Sequence, residues 1–115
     1  MDQSLFPPAT AELAAQKREL APEIYTAFKA FSTQVFAEGA LPAKTKQIIA
    51  LAVAHVTQCP YCIRGHTAAA LKAGATPKEL MEAIWVAAEM RAGAAYAHAS
   101  LALDTIDHVQ GKHAG

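Results

Sequence analysis

The sequence predicts an all-α protein, and three observations support that prediction. Hydrophobic residues make up 53% of the 115-residue chain but aromatic residues only 7%, and the excess is alanine, the strongest helix former. Apolar side chains recur at helical spacing, and no stretch of useful length alternates in the way a β-strand does. Capping residues, prolines and glycines divide the chain at intervals that suit helices.

Boundary residues predict six helices in order. Thr10 can cap the first, Pro22 suits the first turn of the second, and Gly39 follows that helix as a C-terminal cap. Pro42 precedes the third helix, and Pro60 begins the fourth. The predicted helices are Ala11–Leu20, Pro22 to about Ala37, Ala43 to about Thr57, Pro60 to about Lys72, Pro77 to about Met90, and about Ala94 to Val109.

The fifth helix has the clearest start signal in the chain. Thr76 can cap it, Pro77 takes the first helical position, and Glu79 completes a capping box. Gly93 is expected to loosen or end this helix, because glycine is a poor helix former.

The apolar pattern predicts which faces form the core. The second helix carries one stripe at helical spacing, which we expect to be buried, and the third helix has so little polar surface that we expect burial on most sides. The stripe consists of Ile24, Phe28, Phe31, Val35 and Phe36. Lys44 and Lys46 lie in the first turn of the third helix, where they oppose the helix dipole, and the sequence offers no reason for them.

Length and charge limit the classes of protein. One domain is expected over 1–115, with a loose leader at 1–9 and a frayed end at 111–115. The net charge of zero disfavours nucleic acid or an anionic membrane as a partner. No secretion signal or membrane-spanning run is present, so a cytoplasmic location is expected. A small, alanine-rich core also favours a homo-oligomer.

Both cysteines of the chain lie in Cys59-Pro60-Tyr61-Cys62, and His66 follows four residues later. With Pro60 at the first helical position, Cys59 caps the helix and Cys62 lies in its first turn, where backbone N–H groups and the dipole stabilise a thiolate. His66 shares a helix face with Cys62 and can take its proton. The pattern predicts a redox-active dithiol, although a capping Cys59 is activated as well.

Gln47 lies opposite His66 in a predicted helix hairpin. The third and fourth helices are joined almost without a loop, so they are expected to run antiparallel. At about 1.5 Å per residue, Gln47 lies roughly 15 Å from the turn along one arm and His66 roughly 10 Å along the other. The Gln47 side chain is therefore expected to reach toward His66.

These residues resemble a known family. The spacing of Gln47, Cys59, Cys62 and His66, followed by Ala-Ala-Leu-Lys-Ala-Gly-Ala-Thr at 69–76, is similar to that of the AhpD-like alkylhydroperoxidases of the carboxymuconolactone decarboxylase superfamily. The resemblance covers a core of about 43–100. It implies an all-helical subunit with a central antiparallel hairpin that carries the two cysteines, assembled into trimers or hexamers.

The resemblance also implies an activity. Family members reduce organic or hydrogen peroxide through the dithiol without a metal or another cofactor. By that resemblance Cys62 attacks the peroxide, Cys59 resolves it as a disulfide, and an external thiol donor, a protein or a lipoyl-type group, restores the dithiol. We therefore interpret the chain as a cysteine-dependent peroxidase.

Two residues depart from the family pattern. Gln47 stands where the family usually has a glutamate, and glutamine can orient His66 but cannot act as a base. Tyr61 stands where some members have a histidine, and it either lines a substrate pocket or packs. The candidate replacements for the missing carboxylate are Glu82, Glu89, His55 and His98.

Three alternative interpretations stay open. The chain can be a thiol–disulfide partner of another redox protein with little peroxidase turnover. It can be a decarboxylase of the same superfamily, although the cysteine pair is not part of that chemistry. It can also be a non-catalytic helical oligomer, with or without a metal. His55, Cys59, Cys62 and His66 are zinc-ligand types, and on one continuous helix they would span about 16 Å, too far for a tetrahedral ion. A break at Pro60 relaxes that distance, but the chain has no second Cys-x-x-Cys pair to complete a common zinc site.

Overall fold

The computed structural model describes residues 5–112, and within that range it contains α-helices and no β-strand. The all-α prediction is confirmed. The helices are α1 (Ala11–Leu20), α2 (Pro22–Phe36), α3 (Ala43–Thr57), α4 (Pro60–Lys72), α5 (Pro77–Ala97) and α6 (Ala99–Val109). None of the helices in residues 5–112 is long and apolar enough to cross a membrane.

The core lies where α3 packs against α4 and α5. Its buried members come from α3, α4, the turn before α5, and α5 itself: Leu51, Ala70, Ala75 and Leu80. Ile48 and Ile63 pack against this cluster from α3 and α4. Two of the four buried side chains are alanine, which lets the helix backbones approach closely and fixes the hairpin that carries the dithiol.

A two-residue joint reverses the chain between α3 and α4. Gln58 adopts the left-handed conformation, with a φ of 58°, and the N–H of Cys59 donates to the carbonyl of Ala54 at 3.2 Å. Pro60 then occupies the first turn of α4, where its fixed φ suits a helix start. The predicted antiparallel hairpin therefore exists, with Cys59 at its tip.

The lysines in the first turn of α3 have partners in neighbouring elements. Lys44 Nζ pairs with Glu79 Oε2 at 3.0 Å, which ties the start of α3 to the start of α5. Lys46 Nζ donates to the carbonyl of Ala37 at 2.6 Å, at the end of α2. These contacts explain a charge pattern that runs against the helix dipole.

The predicted break at Gly93 is wrong. The fifth helix continues through Gly93 to Ala97, and α6 begins at Ala99. A glycine costs only about 1 kcal/mol within a helix, and the alanine-rich neighbourhood offsets that cost. A Cβ atom at Gly93 would lie 3.3 Å from Glu89 Oε1, so the glycine leaves room for that carboxylate.

The predicted burial of the apolar faces of α2 and α3 is wrong within one subunit. Phe28 and Phe31 of α2 are 61% and 65% exposed, and Val53 of α3 is 53% exposed. The radius of gyration is 20.4 Å, whereas a compact chain of this length has about 13 Å. The helices are therefore arranged too openly for one chain to cover its own apolar surface.

Candidate functional site

The dithiol lies at the N-terminus of α4, as the sequence predicts. Cys59 is the capping residue, and its Sγ accepts a hydrogen bond from the backbone N–H of Cys62 at 3.3 Å. Both cysteines are free thiols and both are half-buried. One turn of helix thus holds the two sulfur atoms near each other and near the partial positive charge of the helix end.

The two thiols differ in acidity. The pKa of Cys59 is lowered, first because the Cys62 side chain donates a hydrogen bond to its sulfur and then because the Cys62 backbone N–H does the same. The pKa of Cys62 is raised, first by that same side-chain hydrogen bond and then by burial. Hydrogen bonding at the start of α4 therefore favours the thiolate form of Cys59 over that of Cys62.

His66 is oriented from the opposite arm of the hairpin. Its Nδ1 lies 2.7 Å from Gln47 Oε1, across the α3–α4 contact. An amide oxygen can only accept, so Nδ1 donates, and Nε2 is the ring nitrogen that can exchange a proton with the cleft. The predicted contact between Gln47 and His66 is therefore present.

A cleft of about 410 Å³ opens beside His66 and Cys62. Most of its lining is apolar and comes from the end of α2 and one face of α3: Val35, Phe36, Ile49, Ala50, Val53 and Ala54. Its polar lining residues are Lys46, Thr57, Cys62 and His66. The volume lies within the range of small-molecule sites.

Phe36 fixes the other side of the His66 ring. The two rings are stacked, with centroids 5.2 Å apart and an interplanar angle of 28°. The imidazole is thus held by a hydrogen bond at one edge and an aromatic ring on one face. Such restraint keeps the ring at the cleft wall beside Cys62.

Cys62 and His66 both line the cleft, but their side chains are not hydrogen-bonded to each other in the described structure. Among residues 5–112, the hydrogen bonds of His66 and Cys62 do not join the two side chains. Proton transfer from Cys62 to His66 Nε2 therefore needs a water molecule or a substrate oxygen between them. The cleft has room for either.

Tyr61 lies away from this cleft. Its ring contacts Phe6 edge to face at a centroid distance of 6.2 Å, and it lines a separate apolar cleft along α1. Of its two predicted roles, packing is present. Contact with the Cys62 cleft is not.

None of the proposed replacements for the missing carboxylate lines the cleft. His55 instead has its Nδ1 2.9 Å from the carbonyl of Leu51, within its own helix. Glu89 lies against Gly93 on α5. The group that contacts His66 Nδ1 is therefore the amide of Gln47, and no described carboxylate replaces it in that position.

The predicted zinc-ligand types are not brought together. Within the described part of the chain, no group of three or more His, Cys, Asp or Glu side chains is placed to hold a metal ion. The arrangement that remains is a dithiol, an oriented imidazole and an apolar cleft.

Sequence reasoning missed two residues of the site. Phe36 was predicted to lie in the buried stripe of α2, but it stacks on His66 instead. From the sequence, Lys46 is only a basic residue in an unfavourable helix position, yet it lines the cleft. That unexplained charge was the one signal that pointed to it.

Comparison with known proteins gives the family. The profile of the carboxymuconolactone decarboxylase family matches residues 22–105. A Paracoccus denitrificans protein, described as uncharacterized protein 4 in cox locus, is 59% identical over 106 residues, covering 92% of this chain and 95% of that protein. A second relative, uncharacterized protein H16_B0147 of Cupriavidus necator, is 35% identical over 86 residues, or 75% of this chain and 76% of that protein.

Solved structures agree with the sequence match. The crystal structure of a protein from Methanobacterium thermoautotrophicum has a TM-score of 0.69 and 42% identity, covering 72% of this chain and 93% of that one. The crystal structure of an apo carboxymuconolactone decarboxylase family protein from Legionella pneumophila has a TM-score of 0.67 and 35% identity, covering 84% of this chain and 87% of that one. The resemblance drawn from the dithiol segment is confirmed, and the chain belongs to the carboxymuconolactone decarboxylase family, with an AhpD-like dithiol.

Proposed function

We propose that the protein is a cysteine-dependent peroxidase that reduces an organic or hydrogen peroxide through a Cys59–Cys62 dithiol cycle. The observation that carries the proposal is the shared cleft, in which the Cys62 thiol lies beside a His66 ring held by Gln47 and Phe36. An apolar cleft of this size also suits the alkyl part of an organic peroxide.

The first step is attack by the Cys62 thiolate on the terminal oxygen of ROOH. His66 Nε2 accepts the thiol proton through a bridging water and delivers it to the leaving alkoxide, which departs as ROH. The S–O bond forms as the O–O bond breaks, and the sulfur is oxidised to the sulfenic acid. Gln47 acts as a positioning residue, because it touches His66 and not the peroxide.

The second step joins the two cysteines. The Cys59 thiolate, which the helix end and Cys62 N–H favour, attacks the Cys62 sulfenic acid. A disulfide forms and hydroxide leaves, to be protonated to water. A dithiol donor, either a protein or a lipoyl-type group, then reduces this disulfide and becomes oxidised itself. Because the cycle needs a supply of reduced thiol, we assign it to the cytoplasm.

The experiment that tests the proposal is steady-state peroxide consumption with a dithiol donor. The wild type is expected to turn over an alkyl hydroperoxide, while Cys62→Ser is expected to lose turnover and Cys59→Ser to stop after one equivalent. Wild-type consumption no faster than that of Cys62→Ser would overturn the proposal. Circular dichroism of each variant checks that its helices are intact.

A second candidate function is thiol–disulfide exchange with a partner protein. The observation that favours it is the lowered pKa of Cys59, which does not line the Cys62 cleft and caps an exposed hairpin tip. In such exchange the more acidic, accessible thiol attacks the partner disulfide. A Cys62→Ser variant that forms stable mixed disulfides through Cys59, in a protein without peroxide turnover, supports this function over the first.

We also propose that the protein works as a homo-oligomer, a trimer or a hexamer. Support comes from the exposed stripe of α2 and the open shape of the single chain. Val35 belongs both to that stripe and to the cleft lining, so a subunit packed on the stripe would border the mouth of the cleft.

A further inference from the structure

Lys46 lines the cleft beside His66 and Cys62. Among the described residues that line the cleft, Lys46 is the one with an ammonium group. The other lining groups are apolar, apart from a thiol, an imidazole and a hydroxyl. A single cation in an apolar cleft favours one anionic group on an otherwise apolar ligand.

Among the described residues, no acidic side chain compensates the charge of Lys46. Its Nζ donates to the neutral carbonyl of Ala37 at 2.6 Å, and within residues 5–112 no carboxylate pairs with it. An ammonium group has three N–H donors, so two remain for a ligand. Lys46 is half-buried in the first turn of α3, whose N-terminus adds partial positive charge.

The neighbouring Lys44 provides a comparison within the same turn. Its ammonium lies 3.0 Å from Glu79 Oε2, so its charge is compensated, and it does not line the cleft. The two lysines therefore differ in the property that matters for an anion. Lys44 pairs with the carboxylate of Glu79 on α5, whereas Lys46 lines the cleft and pairs with no described carboxylate.

The register of the hairpin sets the distance to the thiol. Gln47, next to Lys46, contacts His66, and Cys62 lies four residues earlier on α4, which is roughly 6 Å along the helix axis. The ammonium and the thiol thus line the same cleft from backbone positions about 7 Å apart along the hairpin axis. A ligand that spans them needs an anion and a peroxide separated by an apolar segment.

We propose that the cleft takes organic hydroperoxides that carry a carboxylate on an apolar chain, and that Lys46 binds the carboxylate. This inference rests on the proposed peroxidase function and names its substrate class. Lys46 is a specificity-determining residue and takes no part in cleaving the O–O bond. The step at Cys62 is unchanged, with ROOH reduced to ROH and the thiol oxidised.

The kinetic test compares a medium-chain fatty acid hydroperoxide with its methyl ester, which has the same chain without the charge. The wild-type kcat/KM is expected to be higher for the acid, and the ratio of acid to ester to fall about tenfold in Lys46→Met, because charge-assisted hydrogen bonds are the stronger ones. Lys46→Arg should keep the ratio. Lys44→Met removes an equal charge from the same turn and should also keep it.

The ratio of kcat/KM for the acid to kcat/KM for the ester distinguishes a role of Lys46 in substrate specificity from a purely structural role. If Lys46 only anchors the end of α2, its loss lowers kcat/KM for acid and ester alike and leaves the ratio unchanged. That outcome, or an equal fall of the ratio in Lys44→Met, overturns the inference. If the ester is turned over and the acid-to-ester ratio is the same in Lys46→Met as in the wild type, the peroxidase function is supported and the carboxylate site is refuted.

A binding measurement keeps the inference testable if no peroxide is turned over. Decanoate and decanol differ in charge but not in chain length, and calorimetry with the reduced wild-type protein reports both. Tighter binding of decanoate, lost in Lys46→Met and retained in Lys44→Met, supports the carboxylate site even without turnover. Equal binding of the two compounds to the wild type overturns it.

Discussion

The Nδ1 atom of His66 lies 2.7 Å from Oε1 of Gln47, and this contact joins the two arms of the hairpin beside the dithiol. The glutamine sets the tautomer of the ring, because its oxygen can only accept. It cannot take the proton onward as a carboxylate would. Within the described residues, the site therefore has an oriented base that is backed by an amide and not by a second base.

The Gln47 contact predicts opposite effects for two substitutions. Gln47→Glu is expected to speed the reaction of the reduced protein with peroxide, because a carboxylate stabilises the imidazolium that forms. Gln47→Leu is expected to slow it about two- to tenfold, the value of one hydrogen bond of about 0.5–1.5 kcal/mol. The measurement is the second-order rate constant for thiol loss. Gln34→Leu on exposed α2 is the control, and wild-type rates in both Gln47 variants would place position 47 outside the mechanism.

The acidities of the two thiols predict an order of alkylation. The pKa of Cys59 is lowered and that of Cys62 is raised, so Cys59 should react with iodoacetamide at the lower pH. Peptide mass spectrometry across a pH series measures each site. Cys62→Ala removes the side-chain donor and should move the Cys59 profile to higher pH, whereas Cys62→Ser keeps a donor and should move it less. Superimposable profiles for the two wild-type cysteines would refute the assignment.

Glu79 predicts a pH dependence of stability. Its pKa is lowered, first because it accepts the backbone N–H of Thr76 and then because it pairs with Lys44. A carboxyl whose folded pKa is lowered stabilises the fold above its unfolded pKa, and that contribution disappears as the pH falls through the folded value. Glu79→Gln should therefore lower Tm at pH 7 and flatten its decline below about pH 5. Glu82→Gln, on the same helix, should retain the wild-type decline, and an identical decline in Glu79→Gln would contradict the account.

The exposed stripe of α2 predicts assembly. The wild type is expected to be a trimer or hexamer by light scattering, because residues such as Phe31 would otherwise remain in water. Phe31→Glu places a charge in the stripe and should shift the protein toward smaller species. Thr26→Glu adds the same charge at an exposed position on the opposite face of α2 and should not. A monomeric wild type would contradict the proposal.

The parts of the fold that depend on local signals could be predicted. Thr76 and Glu79 form the expected capping box, and Cys59 caps α4 as expected. The Gln47–His66 contact followed from the helical rise and a short turn, so one distance across the fold was also predictable. These features are decided within a few residues of chain or by simple helix geometry.

Other features depend on contacts that the sequence does not encode locally. An apolar stripe indicates that Phe28 and Phe31 need cover, but not whether the same chain supplies it. Tyr61 contacts Phe6, which precedes the first helix. That segment has no helical or strand periodicity from which its position could be predicted. Lys46 binds the backbone carbonyl of Ala37, just after α2. Because every residue has a backbone carbonyl, the sequence does not indicate which one a lysine will bind.

The most direct test of the central claim is which cysteine peroxide oxidises first. Reduced Cys59→Ser and Cys62→Ser proteins are each mixed with one equivalent of alkyl hydroperoxide and a diketone that traps sulfenic acids, and the adducts are located by mass spectrometry. We expect an adduct on Cys62 in Cys59→Ser, formed much faster than any adduct on Cys59 in Cys62→Ser. An adduct on Cys59 at an equal or higher rate would contradict it.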